Sequence, residues 1–98
     1  MDSDEFRRYG HGIVEWIARY FETAEQYPVK SRVAPGDVKN ALPKIPPTGS
    51  ESFDLFLKDF DDIIMPGMTH WQSPSFFAYF PANSSPPSVL AEMLTAAL

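Results

Sequence analysis

The sequence predicts an all-α fold, drawn out rather than closed on itself. Three observations predict it. Two segments repeat apolar residues at the three-and-four spacing of a helix face, and a third such segment begins near the end. Ten prolines, at 28, 35, 43, 46, 47, 66, 74, 81, 86 and 87, interrupt helix interiors and central strands. The chain is also only 98 residues long yet 44% hydrophobic and 14% aromatic. A domain of that length buries only a little over about 60% of its unfolded surface. The sequence is therefore rich in apolar surface and poor in ways to cover it internally.

The first helix is expected over about residues 3–26. Phe6, Tyr9, Ile13, Ile17, Tyr20, Phe21 and Ala24 form its apolar stripe, with Val14 and Trp16 widening it. Arg7, Arg8, His11, Glu15, Arg19 and Glu22 fall on the other side. Asp2 and Glu5 have capping-box spacing, Asp4 suits the first turn, and Pro28 closes the element. Gly10 and Gly12 lie inside it, each at a cost of about 0.8–1 kcal/mol relative to alanine. Two readings of the stripe stay open: an ordinary core helix, or a helix docked on a second subunit. In the second, glycine admits a close backbone.

A connector follows over residues 27–49, mostly extended, with one or two helical turns in "PGDVKNAL". A second helix is expected over about 51–65. Phe53, Phe56, Leu57, Phe60, Ile63 and Ile64 make its stripe, Ser50 or Ser52 caps it, and Pro66-Gly67 ends it. An aromatic loop spans 66–83. The last helix starts at about 86, capped by Ser84 or Ser85 with Pro86 or Pro87 in its first turn. No stop signal follows it, as expected of an element that continues into further sequence.

Several function classes are disfavoured. The net charge is −5 with no basic run, which argues against nucleic acid. No apolar stretch approaches the roughly 18–20 residues of a membrane span. The acidic start lacks the features of a secretory leader, and the chain has no cysteine, so a cytoplasmic location is expected. Asp59, Asp61 and Asp62 lack the glycine turn of a calcium loop and read as a solvated face, so no metal site is expected. "GHGIVE" lies within a helix and is no dinucleotide fingerprint, and no serine sits in a nucleophile elbow. Asn83-Ser84-Ser85 matches a glycosylation sequon, which reads as an ordinary turn without a leader. His11 reads as a solvated histidine.

What remains is "HWQSPSFFAYFPANSS", residues 70–85. It concentrates Trp71, Phe76, Phe77, Tyr79 and Phe80 in ten positions, around Pro74 and ahead of Pro81, with neither helical nor alternating spacing. His70 adjoins these rings, either packed or orienting a ligand. From composition and spacing alone no reaction centre emerges; an aromatic surface awaiting a partner or ligand does.

The stretches "EFRRYGHGIVEWIARYFE" and "IIMPGMTHWQSPSFFAYFPANSSPPSVLAEML" and the connector between them resemble the N-terminal region of group II pyridoxal-phosphate-dependent aromatic amino-acid decarboxylases. That family includes DOPA, tyrosine, tryptophan and histidine decarboxylases and plant aldehyde synthases. The resemblance covers the chain in order, and its block from Ile64 to Ser85 is the most specific. It implies that residues 1–98 are a helical arm ahead of a large domain of PLP fold type I, absent from this chain. It also implies that the arm packs on a second subunit of a homodimer through Phe6, Tyr9, Gly10, Ile13, Ile17 and Tyr20.

The resemblance further implies that Trp71, Tyr79, Phe80, Pro81 and Ala82 line the pocket for an aromatic amino acid, with His70 helping to orient it. Phe76 and Phe77 are expected to pack inward. Ala82 stands where animal DOPA enzymes carry threonine. The implied activity is α-decarboxylation, amino acid to amine plus carbon dioxide. Pyridoxal 5'-phosphate would be bound by the downstream domain, and no catalytic residue lies in this chain, which alone is expected to be inactive. Lys30, Lys39, Lys44 and Lys58 match no lysine motif of the family. An aromatic aldehyde synthase of the same family is the alternative. A non-enzymatic helical dimerisation or interaction module is the alternative of another class.

Overall fold

Asp2 opens the fold. Its carboxylate accepts the backbone N–H groups of Asp4 and Glu5, and the Glu5 side chain accepts the Asp2 N–H, which closes a capping box. From that cap, helix α1 runs over Ser3–Thr23 in the computed structural model, which describes residues 1–80 and 82–98. A 3₁₀ turn over Ala24–Gln26 ends it, and Tyr27 turns extended ahead of Pro28. Helix α2, Asp37–Ala41, is one short turn entered through Gly36 in the left-handed region at φ 96°. Helix α3, Phe53–Asp59, is capped by the Ser52 hydroxyl, which accepts the Asp54 N–H. Helix α4, Pro86–Ala97, starts from a Ser85–Ser88 capping box with proline in its first turn. The described residues contain no strand, in keeping with the all-α expectation.

The segment after α3 departs from simple helix geometry. It continues without a break into a π turn over Phe60–Ile64 and a 3₁₀ turn over Met65–Gly67. Widening the helix by one residue allows consecutive side chains to meet one partner on α1. Phe60 packs edge-on against Trp16 at 5.2 Å between ring centroids. The next residue, Asp61, accepts the Trp16 Nε1–H at 2.9 Å. Two turns earlier, Tyr9 packs on Phe53 and donates its hydroxyl to Asp54 at 2.8 Å. Partners advance together along both segments, so α1 and α3 run in the same direction with rings between them.

The seven-residue echo of Tyr9/Trp16 against Asp54/Asp61 is thus a pair of ties two turns apart. It corrects the reading of Asp61 as merely solvated: this carboxylate remains exposed but closes the ring edge of Trp16. The rings continue past it. Trp16 stacks on Tyr20, Tyr20 meets Tyr27, and Tyr27 stacks on His70.

Covering ends there. Among the described residues, Tyr9, Ala24 and Met65 are the buried apolar ones, while Phe77, Tyr79, Phe80, Leu90, Leu94 and Phe6 are exposed. The radius of gyration is 15.6 Å, against about 13 Å for a compact domain of this length. The accessible surface is 8105 Å², whereas a compact monomer of 11.0 kDa would expose about 5,600 Å².

Candidate functional site

The aromatic loop hangs from one end of the ring ladder. At its start, Gly67 passes so close to α2 that an added Cβ would lie 2.6 Å from Val38 Cγ2. The Ser31 hydroxyl donates to the Pro66 carbonyl at 3.0 Å, and the His70 N–H donates to the Val29 carbonyl at 2.9 Å. The connector and the loop therefore lie side by side. Turns closed by Ser73 N–H to the His70 carbonyl and Phe76 N–H to the Ser73 carbonyl carry the chain around Pro74. Gln72 Nε2 donates to the Ser84 hydroxyl at 2.9 Å across the loop.

Within this frame Trp71 is a hub. Phe76 stacks on it at 4.9 Å, and Tyr79 lies parallel to it at 5.9 Å with 9° between planes. Phe80 presents its ring nearly perpendicular to Trp71 at 6.1 Å. These are the favoured geometries of aromatic pairs. Tyr79 reaches its place in the left-handed region at φ 57°. A non-glycine residue held there stores strain of order 1–3 kcal/mol, a feature that gathers at ligand-binding loops. Tyr79 and Phe80 remain 86% and 67% exposed, so their faces are free for another flat apolar group. Phe77 differs from expectation: it is 91% exposed rather than packed inward. Among the described residues it is Phe76 that takes the place on Trp71.

His70 is 4% exposed. Its Nδ1 lies 2.9 Å from the Tyr20 hydroxyl. Burial lowers its pKa below the usual imidazole value. The Tyr20 pKa is raised, first by burial and then by Tyr27. Both shifts favour neutral partners, and the two share one hydrogen bond in which the Tyr20 O–H donates when the imidazole proton sits on Nε2.

Ala82 lines a cavity of about 420 Å³ with Ser84, Ser88, Val89 and Glu92. Pro81, assigned with it to the pocket, lies outside the described residues. Of the six expected interface residues, Tyr9 is covered by α3, and Tyr20 is partly covered by Tyr27 and His70. Ile13 and Ile17 line an apolar groove of about 400 Å³ with Trp16, Phe56, Leu57 and Phe60. Phe6 is 65% exposed. A Cβ on Gly10 or Gly12 would meet nothing within 4 Å.

The residues of the loop do not fit a phosphorylated pyridine cofactor. Between 66 and 83 there is no lysine, arginine or carboxylate to pair a phosphate, form an imine or face a ring nitrogen. Lys58, the cation nearest in sequence before the loop, pairs with Asp62. Among the described residues no cluster of His, Asp or Glu could hold a metal ion, and no helix is long and apolar enough to cross a membrane.

Residues 35–98 match the pyridoxal-dependent decarboxylase conserved domain. The chain belongs to that family. It is 50% identical over all 98 residues to the phenylacetaldehyde synthase of Petunia hybrida, covering 19% of that protein. It is 48% identical over 95 residues to the tyrosine decarboxylase of Papaver somniferum, covering 97% of this chain and 19% of that one. Among solved structures it superposes on the TDC of Oryza sativa with PLP and tryptamine, at TM-score 0.91 and 37% identity, covering 99% of this chain and 20% of the other. It thus spans about a fifth of the length of these relatives.

Proposed function

We propose that residues 1–98 form the N-terminal arm of a cytoplasmic, homodimeric, pyridoxal-phosphate-dependent aromatic L-amino-acid decarboxylase. The arm's share of the work is recognition. Trp71, Tyr79 and Phe80, with Pro81 and Ala82, form the wall against which an aromatic side chain lies. His70 supports that wall. The observation that carries this reading is the Trp71 hub, whose outer rings are presented to solvent rather than folded away. Flat apolar contacts of this kind hold an aromatic group without a charged partner. Pyridoxal 5'-phosphate, held outside this chain, supplies the electron sink for loss of carbon dioxide. The arm orients the side chain, and this segment alone is inactive.

A second subunit is the proposed cover for α1. The surface exceeds that of a compact monomer by roughly 2,500 Å², of which the open α1 face is one part. The open face at Gly10 and Gly12 and the groove at Ile13 and Ile17 supply the contact.

The test uses the full-length enzyme loaded with cofactor and supplied with aromatic amino acids. Trp71→Ala and Phe80→Ala should raise KM about ten-fold or more while cofactor affinity stays constant. Equal loss of substrate and cofactor binding would remove the pocket assignment. The likeness to a phenylacetaldehyde synthase favours a second reading, an aldehyde-forming enzyme of the same family, and product analysis separates amine from aldehyde. Dimerisation without turnover in any form would instead support the interaction-module reading.

A further inference from the structure

We propose that His70 is a positioning residue: clasped by Tyr20 and Tyr27 at the end of α1, it sets where the loop presents Trp71, Tyr79 and Phe80. The inference deepens the proposed substrate-facing role of that loop and rests on it. Three segments converge on this one residue. Its Nδ1 meets the Tyr20 hydroxyl at 2.9 Å, and its ring lies on Tyr27 at 4.7 Å with 24° between planes. Its backbone N–H is tied to Val29 and its carbonyl to Ser73. At 4% exposure the ring has almost no surface to offer a ligand. It therefore acts through its neighbour, Trp71, the next residue in the chain and the centre of the exposed ring set.

The choice of side chain fits this task. A flat ring is needed to stack on Tyr27, and a hydrogen-bonding atom on its edge is needed for Tyr20. Phenylalanine keeps the first and lacks the second. Asparagine brings an amide oxygen near the Nδ1 position but loses the stack. Histidine has both. Because Trp71 follows directly, a small rotation at residue 70 swings the whole hub, whereas the later tie from Gln72 to Ser84 joins two exposed polar ends.

The experiment uses the full-length, cofactor-loaded enzyme with Tyr20→Phe, His70→Phe and His70→Asn, and Trp71→Ala as control. KM, kcat and cofactor affinity are measured, together with hydrogen–deuterium exchange of residues 71–80 and of α1. Tyr20→Phe removes a single oxygen and should raise KM roughly five- to ten-fold, as expected for one partly buried hydrogen bond, with kcat within about two-fold. Exchange should quicken in 71–80 and stay unchanged in α1. His70→Phe should match it, and His70→Asn should recover part of the loss while Tyr20 is present. Unchanged exchange in 71–80, or joint loss of protection in loop and helix, overturns the inference. So does faster loop exchange with KM unmoved, provided Trp71→Ala raises KM. If Trp71→Ala also leaves KM unmoved, or the enzyme shows no turnover, the substrate-facing reading fails, and His70 is judged on exchange alone.

Discussion

The two tryptophans of this chain sit in two kinds of aromatic assembly. Trp16 belongs to the ladder between α1 and α3, where polar ring edges are closed: Tyr9 by Asp54, Trp16 by Asp61, Tyr20 by His70. Trp71 belongs to the loop, where rings touch one another but Tyr79, Phe80 and Phe77 face outward. Among the described residues, neither Trp71 Nε1 nor Tyr79 Oη donates a hydrogen bond. Both regions are built on tryptophan, tyrosine and phenylalanine rings, and what differs is who satisfies the ring edges. The ladder has used up its valences in holding the arm together. The loop has kept its own free, and that marks it as the surface meant for something else.

Exchanging each tryptophan for alanine is the sharpest way to break this comparison. In the full-length enzyme, Trp71→Ala should raise KM by a factor of roughly ten to a hundred with little change in melting temperature. Trp16→Ala should do the opposite. It removes a half-buried ring with two packed neighbours and should cost up to about 3 kcal/mol of stability, the low end for a core aromatic, with KM unchanged. Melting curves and steady-state kinetics on the same two variants decide. If both variants lost stability alone, the loop would be a second piece of core rather than a binding surface.

The seat of the loop comes next in size. At Gly67 an added Cβ would sit 2.6 Å from Val38 Cγ2, and valine is too stiff at χ1 to swing aside. Gly67→Ala should cost about 1–3 kcal/mol, the usual range for overpacking. Adding Val38→Ala should restore most of it. A double-mutant cycle by thermal unfolding checks the coupling, and additive effects would show that α2 does not brace the loop.

A smaller effect follows from pH. The folded His70 pKa lies below its unfolded value of about 6.5 because burial disfavours the imidazolium. A group depressed in this way stabilises the neutral fold above the unfolded value. That contribution is lost as pH falls through about 6.5 toward the folded value. Below it, the buried imidazolium can only donate to the Tyr20 oxygen, and its charge is held in a desolvated place. Tyr20 and Tyr27 are the titratable groups that face it, and the Tyr20 pKa is raised by burial, away from this window. Loop protection, corrected for the intrinsic pH dependence of amide exchange, should therefore fall as pH drops below about 6.5 while that of α1 holds, and His70→Phe should abolish the dependence. The same acid response in His70→Phe would assign it to another group.

Much of this was readable from residues alone. The all-α class follows from stripes that need only the 3.6-residue period, and the Asp2–Glu5 box needs only spacing. The π turn at Phe60–Ile64 leaves no periodic trace, so the second stripe reads as one helix. The roles of Asp54 and Asp61 are hidden because a carboxylate that caps a ring edge looks, in sequence, like any acidic residue on a wet face. The signal was present in the matched seven-residue spacing of Tyr9/Trp16 and Asp54/Asp61, but only in a pairing that requires knowing the two segments run in parallel. At the loop, ring density gave away the surface, whereas the outward turn of Phe77 depends on which of two adjacent phenylalanines takes the single place on Trp71.

The smallest predicted effect probes the cover proposed for α1. Gly10 and Gly12 each weaken the helix by about 0.8–1 kcal/mol relative to alanine, and among the described residues nothing lies close enough to require them. On an uncovered helix, Gly10→Ala and Gly12→Ala would simply strengthen α1. Against a second subunit's backbone, each new methyl group would force the two helices apart. We therefore expect the paired substitution to weaken self-association of the full-length enzyme by analytical ultracentrifugation, even though intrinsic helicity rises. A dimer of unchanged or greater affinity would leave the glycines without an interface role and return α1 to the status of an ordinary helix.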